Sequence, residues 1–276
     1  MGSSTGRGAR RRPSALGVLA VSVLLLATAC QPRTATQGRH RWGAITPDGT
    51  DRYTFTDDPT GFSVVAPPSN AGNNLRLAVV RTDARASIDQ RACATWNGPS
   101  SGVIQPGVVL RARIDAHRTR AIMVSDGIYV GVRTIFNVHL ADSTAAEPFR
   151  KVGVVSLPYS VGQNPFHQAP LPWRICARVV GTEVTVKAWP IAAYRGEPRW
   201  GDPVTSGTVA VPSDWVYRGL AGVYVGHLEP GQQTRFSDVA TARVSAATVV
   251  AEGAGPAPRL QLWLRGWALL RRRGNN

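Results

Sequence analysis

The sequence has few charged residues and no catalytic signature, and both absences limit what the protein can be. Charged side chains make up 18% of the 276 residues and apolar ones 43%. The chain can therefore bury a core and is neither disordered nor collagen-like. His-Glu-x-x-His, Cys-x-x-Cys and a phosphate-binding glycine loop are all missing. This favours a binding or structural protein over an enzyme.

Glycine and proline, by contrast, are abundant, with 28 and 20 copies spread along the chain. Both residues disrupt helix interiors, so a helical bundle or a long coiled coil is excluded. Strand patterns instead recur across residues 51–248, with turn residues between them. We therefore predict an all-β domain over residues 51–250, in which two antiparallel sheets pack as a β-sandwich.

Two short patterns locate strands within this domain. Residues 110–114 alternate apolar and charged side chains, which places Arg111 and Arg113 on the exposed face of a strand. Residues 175–188 alternate on both sides of Gly181-Thr182, a pair suited to a tight turn. This second segment is predicted to be a β-hairpin.

A third pattern predicts a ligand site. Residues 128–140 alternate like a single strand with one dry face and one wet face. A row of planar, hydrogen-bonding groups on an outer sheet face suits sugar hydroxyls, so we predict glycan binding there; an ordinary polar sheet face is the alternative. The wet face carries Tyr129, Arg133, Asn137 and His139.

Residues 1–29 have the pattern of a cleaved export signal, with arginines ahead of the apolar run 15–29. That run would form a helix of roughly 22 Å, short of the roughly 30 Å hydrocarbon core of a bilayer. Ala27-Thr28-Ala29-Cys30 resembles a bacterial lipobox, which implies that Cys30 is lipidated and anchors an exported protein to the outer face of the cytoplasmic membrane. Ordinary cleavage after Ala29 is the alternative, and the export route, general secretion or twin-arginine, is left open.

Cysteine counting is consistent with this anchor. If Cys30 carries the lipid, Cys93 and Cys176 remain, an even number in an oxidising compartment. We predict a disulfide between them, with two buried free thiols as the alternative. Residues 30–50 would form the lipidated N-terminus and a flexible tether.

The end of the chain has a different character. Residues 251–258 have the composition of a linker, and residues 259–273 carry an apolar stripe at helical spacing. The net charge of +15 does not indicate a nucleic-acid partner, because the chain is predicted to be exported. We predict a basic amphipathic helix that contacts a membrane surface, with docking on the sandwich as the alternative. Its membrane-contacting residues would be Trp263, Arg265, Trp267, Arg271, Arg272 and Arg273.

The segment from Trp173 to Trp189, followed by Gly222-Val-Tyr-Val-Gly226 and Thr234-Arg-Phe-Ser-Asp-Val239, resembles the C-terminal half of a concanavalin A-like lectin/glucanase (laminin G-like) jelly roll. The whole chain is similar to uncharacterised exported lipoproteins of mycobacteria and related actinobacteria. The resemblance implies a jelly-roll sandwich and a structural calcium site near Asp238; no other cofactor is expected. The Glu-x-Asp-x-x-Glu strand of the glucanases is absent.

Three functions therefore remain open from the sequence. The first is a membrane-anchored glycan-binding or structural domain of the cell envelope. The second is a divergent glycoside hydrolase that uses scattered carboxylates such as Asp115 or Asp126. It would require two carboxyl groups about 5–10 Å apart in a cleft. The third is a protein-interaction scaffold without a small ligand.

Overall fold

The computed structural model describes residues 34–46, 53–68, 75–98, 104–127, 135–157 and 171–245. All of them belong to one compact unit, Arg33–Asn276. The predicted signal, Cys30, the linker, the C-terminal helix, Tyr129 and Arg133 lie outside the described residues. The prediction of a flexible tether over residues 30–50 is wrong for residues 34–46, because they form two strands that pair with each other and with Arg76–Arg81. Within the six described ranges, no helix is long and apolar enough to cross a membrane.

The described residues form two sheets of eight and seven strands, and every strand pairing is antiparallel. The predicted all-β, two-sheet antiparallel sandwich is confirmed. In spatial order, the eight-stranded sheet consists of β1 (Thr34–Gln37), β2 (His40–Thr46), β5 (Arg76–Arg81), β14 (Leu220–Gly226), β7 (Gln105–Ile114), β8 (Thr119–Asp126), β9 (Ile135–Asp142) and β10 (Phe149–Ser156).

The seven-stranded sheet packs against it and contributes the other half of the core. Short 3-10 helices at Ile191–Ala193 and Ser213–Trp215 follow two of the strands. In spatial order, this sheet consists of β13 (Ser206–Ala210), β12 (Glu183–Pro190), β11 (Trp173–Val180), β6 (Gln90–Gly98), β15 (Gln233–Arg243), β4 (Gly61–Val65) and β3 (Thr54–Asp58).

The main core lies between the two sheets, because alternate residues of each strand point inward. Aromatic residues from both sheets are fully buried there, among them Phe62, Trp96, Phe136 and Phe236. The alternation predicted around residues 136–140 is present in β9, which begins at Ile135. Residues 128–134, the first part of the long strand we predicted, are outside the described ranges.

The predicted hairpin is also present, as β11 and β12. Val180 pairs with Glu183, and Gly181 at the turn has φ +54°, a left-handed conformation that glycine adopts at little cost. The turn therefore fixes the register that places Cys176 opposite Lys187. On its other side, β11 pairs with β6, which places Cys176 opposite Cys93.

The prediction for residues 110–114 is half wrong. Arg113 is exposed, but Arg111 is completely buried. The pairing of β7 with β8 shifts register between Leu110 and Arg113, and Arg111 itself has φ +51°. Such a bulge turns one side chain away from the face that simple alternation assigns to it.

The outer face of the eight-stranded sheet is apolar and concave rather than uniformly polar. Gly43 of β2 is so close to the far end of β7 that an added methyl group would lie 2.7 Å from Ile114 Cγ2. Because β5 and β14 lie between β2 and β7 in the sheet, this approach requires the sheet to curl. The cluster that fills the concave face consists of Ile45, Ala78, Val80, Val109, Ala112, Ile114, Ala121, Met123, Ala141 and Tyr224.

Candidate functional site

Asn137 and His139, two members of the predicted glycan row, lie half-buried on the concave face. The ring of His139 meets that of Phe149 edge-on, with centroids 5.9 Å apart. The guanidinium carbon of Arg76 lies 4.6 Å from the centroid of the same Phe149 ring. Ser125, opposite Asn137 on β8, is fully buried. This part of the face is therefore filled by the protein's own side chains, and glycan binding there stays a prediction.

Burial dominates the chemistry of His139. It lowers the pKa of the imidazole to about 4, and the positive charges of Lys151 and Arg76 act in the same direction. The Nδ1 atom is buried and has no hydrogen-bond partner in the described part of the chain. At neutral pH the ring is therefore uncharged and serves as a packing group.

The pH dependence of stability should report this burial. The unfolded chain binds a proton at His139 below about pH 6.5, whereas the folded chain resists protonation down to about pH 4. The contribution of His139 to the free energy of unfolding is therefore complete above pH 6.5. It falls by about 1–3 kcal/mol as the pH drops toward 4. Between pH 7 and pH 4.5, the free energy of unfolding measured with urea should fall less for His139→Gln than for the wild type. Equal losses in the two proteins would contradict the assignment.

A groove of about 260 Å³ lies on the other side of the molecule, on the outer face of the seven-stranded sheet. It lies above the point where β6, β11, β12 and β15 run side by side. The residues that line it combine two aromatic rings with charged and hydroxyl groups. They include Thr95, Arg174, Trp189, Ile191, Tyr194 and Asp238.

The floor of the groove rests on the disulfide. The predicted Cys93–Cys176 bond is present, with the two Cα atoms 4.1 Å apart on neighbouring strands. Both cysteines pack in one buried cluster with Trp189, Tyr194 and Trp200. The bond therefore supports the aromatic side of the groove as well as joining β6 to β11.

Lys187 contacts the aromatic rings of this floor. Its ammonium group lies 5.3 Å from the ring centroid of Trp189 and 4.3 Å from that of Trp200, a cation–π arrangement. The same group donates hydrogen bonds to Glu197 Oε1 at 2.6 Å and to the carbonyl of Pro198 at 2.8 Å. The rings are consequently held in fixed positions.

The polar rim of the groove is built by Arg174 and Asp238. Arg174 Nη1 donates to Thr95 Oγ1 at 3.1 Å and to the backbone carbonyl of Asp238 at 2.7 Å. The Asp238 side chain is exposed, and the hydroxyl of Ser237 donates to its Oδ2 atom at 3.0 Å. A carboxylate has about four acceptor positions, so Asp238 retains the capacity to accept hydrogen bonds from a ligand.

The backbone at Asp238 is strained. Its φ is +51°, and the pairing of β15 with β6 shifts register between Ser237 and Ala240. A non-glycine residue in this conformation costs of order 1–3 kcal/mol, and such residues cluster at functional sites. The strain places an exposed carboxylate beside Arg174, which makes the bulge a candidate for function.

The calcium site inferred for Asp238 stays a prediction. The two carboxylates at the end of β3 are already engaged: Asp57 Oδ1 lies 2.6 Å from His40 Nδ1, and Asp58 Oδ1 accepts hydrogen bonds from Thr60 and from the backbone of Gly61. The Arg235 guanidinium, together with Thr60, holds the pKa of Asp58 well below its usual range. Among the described residues, no group of three or more His, Cys, Asp or Glu side chains could hold a metal ion.

The carboxylates suggested for a hydrolase are far apart. Asp115 lies in the turn before β8, where it accepts hydrogen bonds from the backbone of His117 and Arg118, and Asp126 is the last residue of that strand. The length of β8 separates them by roughly 25 Å at 3.3 Å per residue. This pair cannot flank a glycosidic bond, which requires carboxyl groups about 5–10 Å apart.

No protein-family profile matches the chain, and no curated protein does. Among solved structures, the carbohydrate-binding module CBM66 from Bacillus subtilis is similar with a TM-score of 0.42 and 10% identity, over 72% of this chain and 94% of that one. The VIP36 exoplasmic/lumenal domain, in its Ca2+/Man2-bound form, has a TM-score of 0.44 and 7% identity, over 80% and 90% of the two chains. An alginate lyase from Klebsiella pneumoniae has a TM-score of 0.34 and 12% identity, over 71% and 85%.

The described residues form an all-β sandwich of two antiparallel sheets. The likeness to these structures is a loose one of strand arrangement, and it does not indicate which residues of this chain bind a ligand. The groove is described by the residues that line it. Among them, the sequence analysis proposed a ligand role only for Asp238, and it also predicted the disulfide beneath the groove.

Proposed function

We propose that this protein is a carbohydrate-binding domain and that the groove beside the disulfide is its binding site. The observation that carries the proposal is the meeting of the Trp189 and Tyr194 rings with Arg174 and Asp238 in one groove. Sugars present apolar C–H faces, which pack on aromatic rings, and hydroxyl groups, which bond to guanidinium and carboxylate groups. Ligand sites commonly combine an apolar lining with a few such fixed polar groups.

The size of the groove also fits a small ligand or part of a chain. Its volume of about 260 Å³ is near the lower end of the range of ligand pockets, roughly 300–1,000 Å³. One or two sugar rings of a longer glycan would occupy it. Ile191, whose side chain is 39% exposed, offers an additional apolar contact at its edge.

We also propose that the domain acts outside the cytoplasm, at the outer face of the membrane. The Cys93–Cys176 disulfide supports this location, because such bonds persist in oxidising compartments. Lipidation of Cys30 would provide the anchor, and the predicted helix at 259–273 would add a second contact. Mass spectrometry of the mature N-terminus tests the anchor: an unmodified residue there would contradict it.

Screening the purified protein on a glycan array tests the binding site. Asp238→Asn keeps the shape of the side chain but removes its charge. For a glycan that the wild type binds on the array, we expect this variant to weaken binding at least tenfold, about 1.4 kcal/mol. The matched control, Asp214→Asn, changes another exposed aspartate and should bind like the wild type.

A second variant separates the two candidate faces. Asn137→Ala on the concave face should leave glycan affinity unchanged if the groove is the site. Loss of binding in Asn137→Ala with normal binding in Asp238→Asn would move the site to the concave face. An array without any bound glycan would overturn the proposal and favour a protein-interaction scaffold.

A further inference from the structure

A second cleft, distinct from the groove, opens where the connection between β5 and β6 approaches the end of β15. Its volume is about 430 Å³. Among the described residues, three arginines line it, Arg81, Arg85 and Arg243, together with a single carboxylate, that of Asp83. The cleft is therefore strongly positive.

Only one of the three arginines has its charge matched. Arg81 holds Asp83 through two hydrogen bonds, from Nε at 2.8 Å and from Nη2 at 2.6 Å. Neither Arg85 nor Arg243 forms an ion pair or a side-chain hydrogen bond with any described residue. Both side chains are exposed, so two guanidinium groups are available to a ligand.

The back wall of the cleft is rigid. Ser87 and Gly219 exchange backbone hydrogen bonds of 2.9 and 3.2 Å. The buried amide of Gln90 donates to the carbonyls of both residues, at 2.6 and 3.0 Å, and accepts a hydrogen bond from the backbone of Arg111. Gln90 is thus fully used in holding the wall.

Ser87 is different, because its backbone is fixed while its hydroxyl is not used. That hydroxyl makes no hydrogen bond to any part of the chain that the structure describes. It is a donor on a rigid wall of the cleft, which Arg85 and Arg243 also line.

We propose that this cleft binds a phosphate group. Arg85 and Ser87 come from the connection between β5 and β6, and Arg243 comes from the end of β15, so the donors belong to two segments that are distant in the sequence. A tetrahedral phosphate offers several acceptor oxygens in different directions, whereas a carboxylate offers two in one plane. Guanidinium groups match phosphate geometry and bind it with charge-assisted hydrogen bonds. The site does not depend on glycan binding in the groove.

Calorimetric titration of the purified protein with inorganic phosphate tests the proposal, with acetate at the same ionic strength as the comparison anion. The double variant Arg85→Gln/Arg243→Gln should lose phosphate affinity at least tenfold. A control with the same change of charge, Arg150→Gln/Arg195→Gln, alters two exposed arginines outside the cleft and should stay within about twofold of the wild type.

Two results would overturn the proposal: no phosphate binding by the wild type, or an equal loss in the two double variants. Because all four arginines are exposed, the variants should keep the wild-type melting temperature, which verifies that they fold. The groove is unaltered in the cleft variant, so its glycan binding should persist. The phosphate proposal for the cleft can therefore be contradicted while the glycan proposal for the groove is supported, and the reverse.

Vesicles identify the source of the phosphate. If the wild type binds phosphatidylglycerol vesicles but not phosphatidylcholine vesicles, and only the cleft variant loses this binding, the ligand is an anionic lipid headgroup. If inorganic phosphate binds but the vesicles do not distinguish the two variants, the ligand is a soluble or polymer-borne phosphate. Either result supports a phosphate site at Arg85 and Arg243.

Discussion

Replacing Arg111 by methionine is expected to lower the free energy of unfolding by about 3–5 kcal/mol, the cost of breaking a buried charged network. Arg111 is 0% exposed. Its Nε, Nη1 and Nη2 atoms donate to the carbonyls of Ile88, Trp215 and Gly181 at 2.9, 2.7 and 2.6 Å. Methionine fills part of the volume but leaves all three acceptors without a donor.

The expected loss is large because the three carbonyls belong to different connections. Ile88 precedes β6, Gly181 is the turn of the β11–β12 hairpin, and Trp215 ends a 3-10 helix before β14. Arg111 thus ties together three loops at one end of the sandwich. Burial lowers the pKa of its guanidinium, and Asp89, with Oδ1 at 3.7 Å from Nη2, acts in the opposite direction.

Urea unfolding measures this effect, and the same strand provides a matched control. Arg113 is exposed, stacks on Tyr217 with its guanidinium carbon 4.6 Å from the ring centroid, and donates to the carbonyl of Arg218 at 2.9 Å. Arg113→Met should cost less than about 1 kcal/mol, as exposed contacts usually do. Similar losses in the two variants would contradict the role assigned to Arg111.

Arg111 also shows which features could be predicted from the sequence and which could not. The alternation of residues 110–114 correctly indicated a strand, because period-two patterns follow from the pleat itself. It placed Arg111 on the wet face, since nothing in the pattern marks a bulge. The partners of Arg111 lie 23, 70 and 104 residues away, so no local signal could have identified them.

The groove was missed for the same reason. Arg174 and Asp238 are 64 residues apart and meet only because β15 bulges at Asp238. Trp189 and Tyr194 are close in sequence, but the 3-10 turn between them sets their common side. By contrast, the Cys93–Cys176 pairing could be predicted by counting, since the predicted lipidation of Cys30 would leave just two thiols to join.

Removing that disulfide is the second change with a large expected effect. In Cys93→Ala/Cys176→Ala, the free energy of unfolding should fall by about 2–5 kcal/mol, the usual cost for a native disulfide. The bond closes a sequence separation of 83 residues, and in the chain-entropy model a loop of this length gives a stabilisation near the upper end of that range.

Reductant provides the control for this variant. Urea unfolding of the wild type with dithiothreitol should approach that of the double variant, while the double variant itself should not respond to dithiothreitol. Wild-type unfolding that is indifferent to reductant would contradict a contribution from the bond. The strands on each side remain paired through the Cys176–Cys93 register, so the variant should still fold.

The disulfide variant also links stability to ligand binding. Trp189 and Tyr194 pack directly on the two cysteines, and two alanines fill less volume than the bonded sulfurs. The aromatic floor should therefore loosen, and glycan affinity should fall severalfold even under conditions in which the protein is fully folded. Affinity that stays at the wild-type value in the folded variant would show that the floor is held by Lys187 and Trp200 alone, without help from the disulfide.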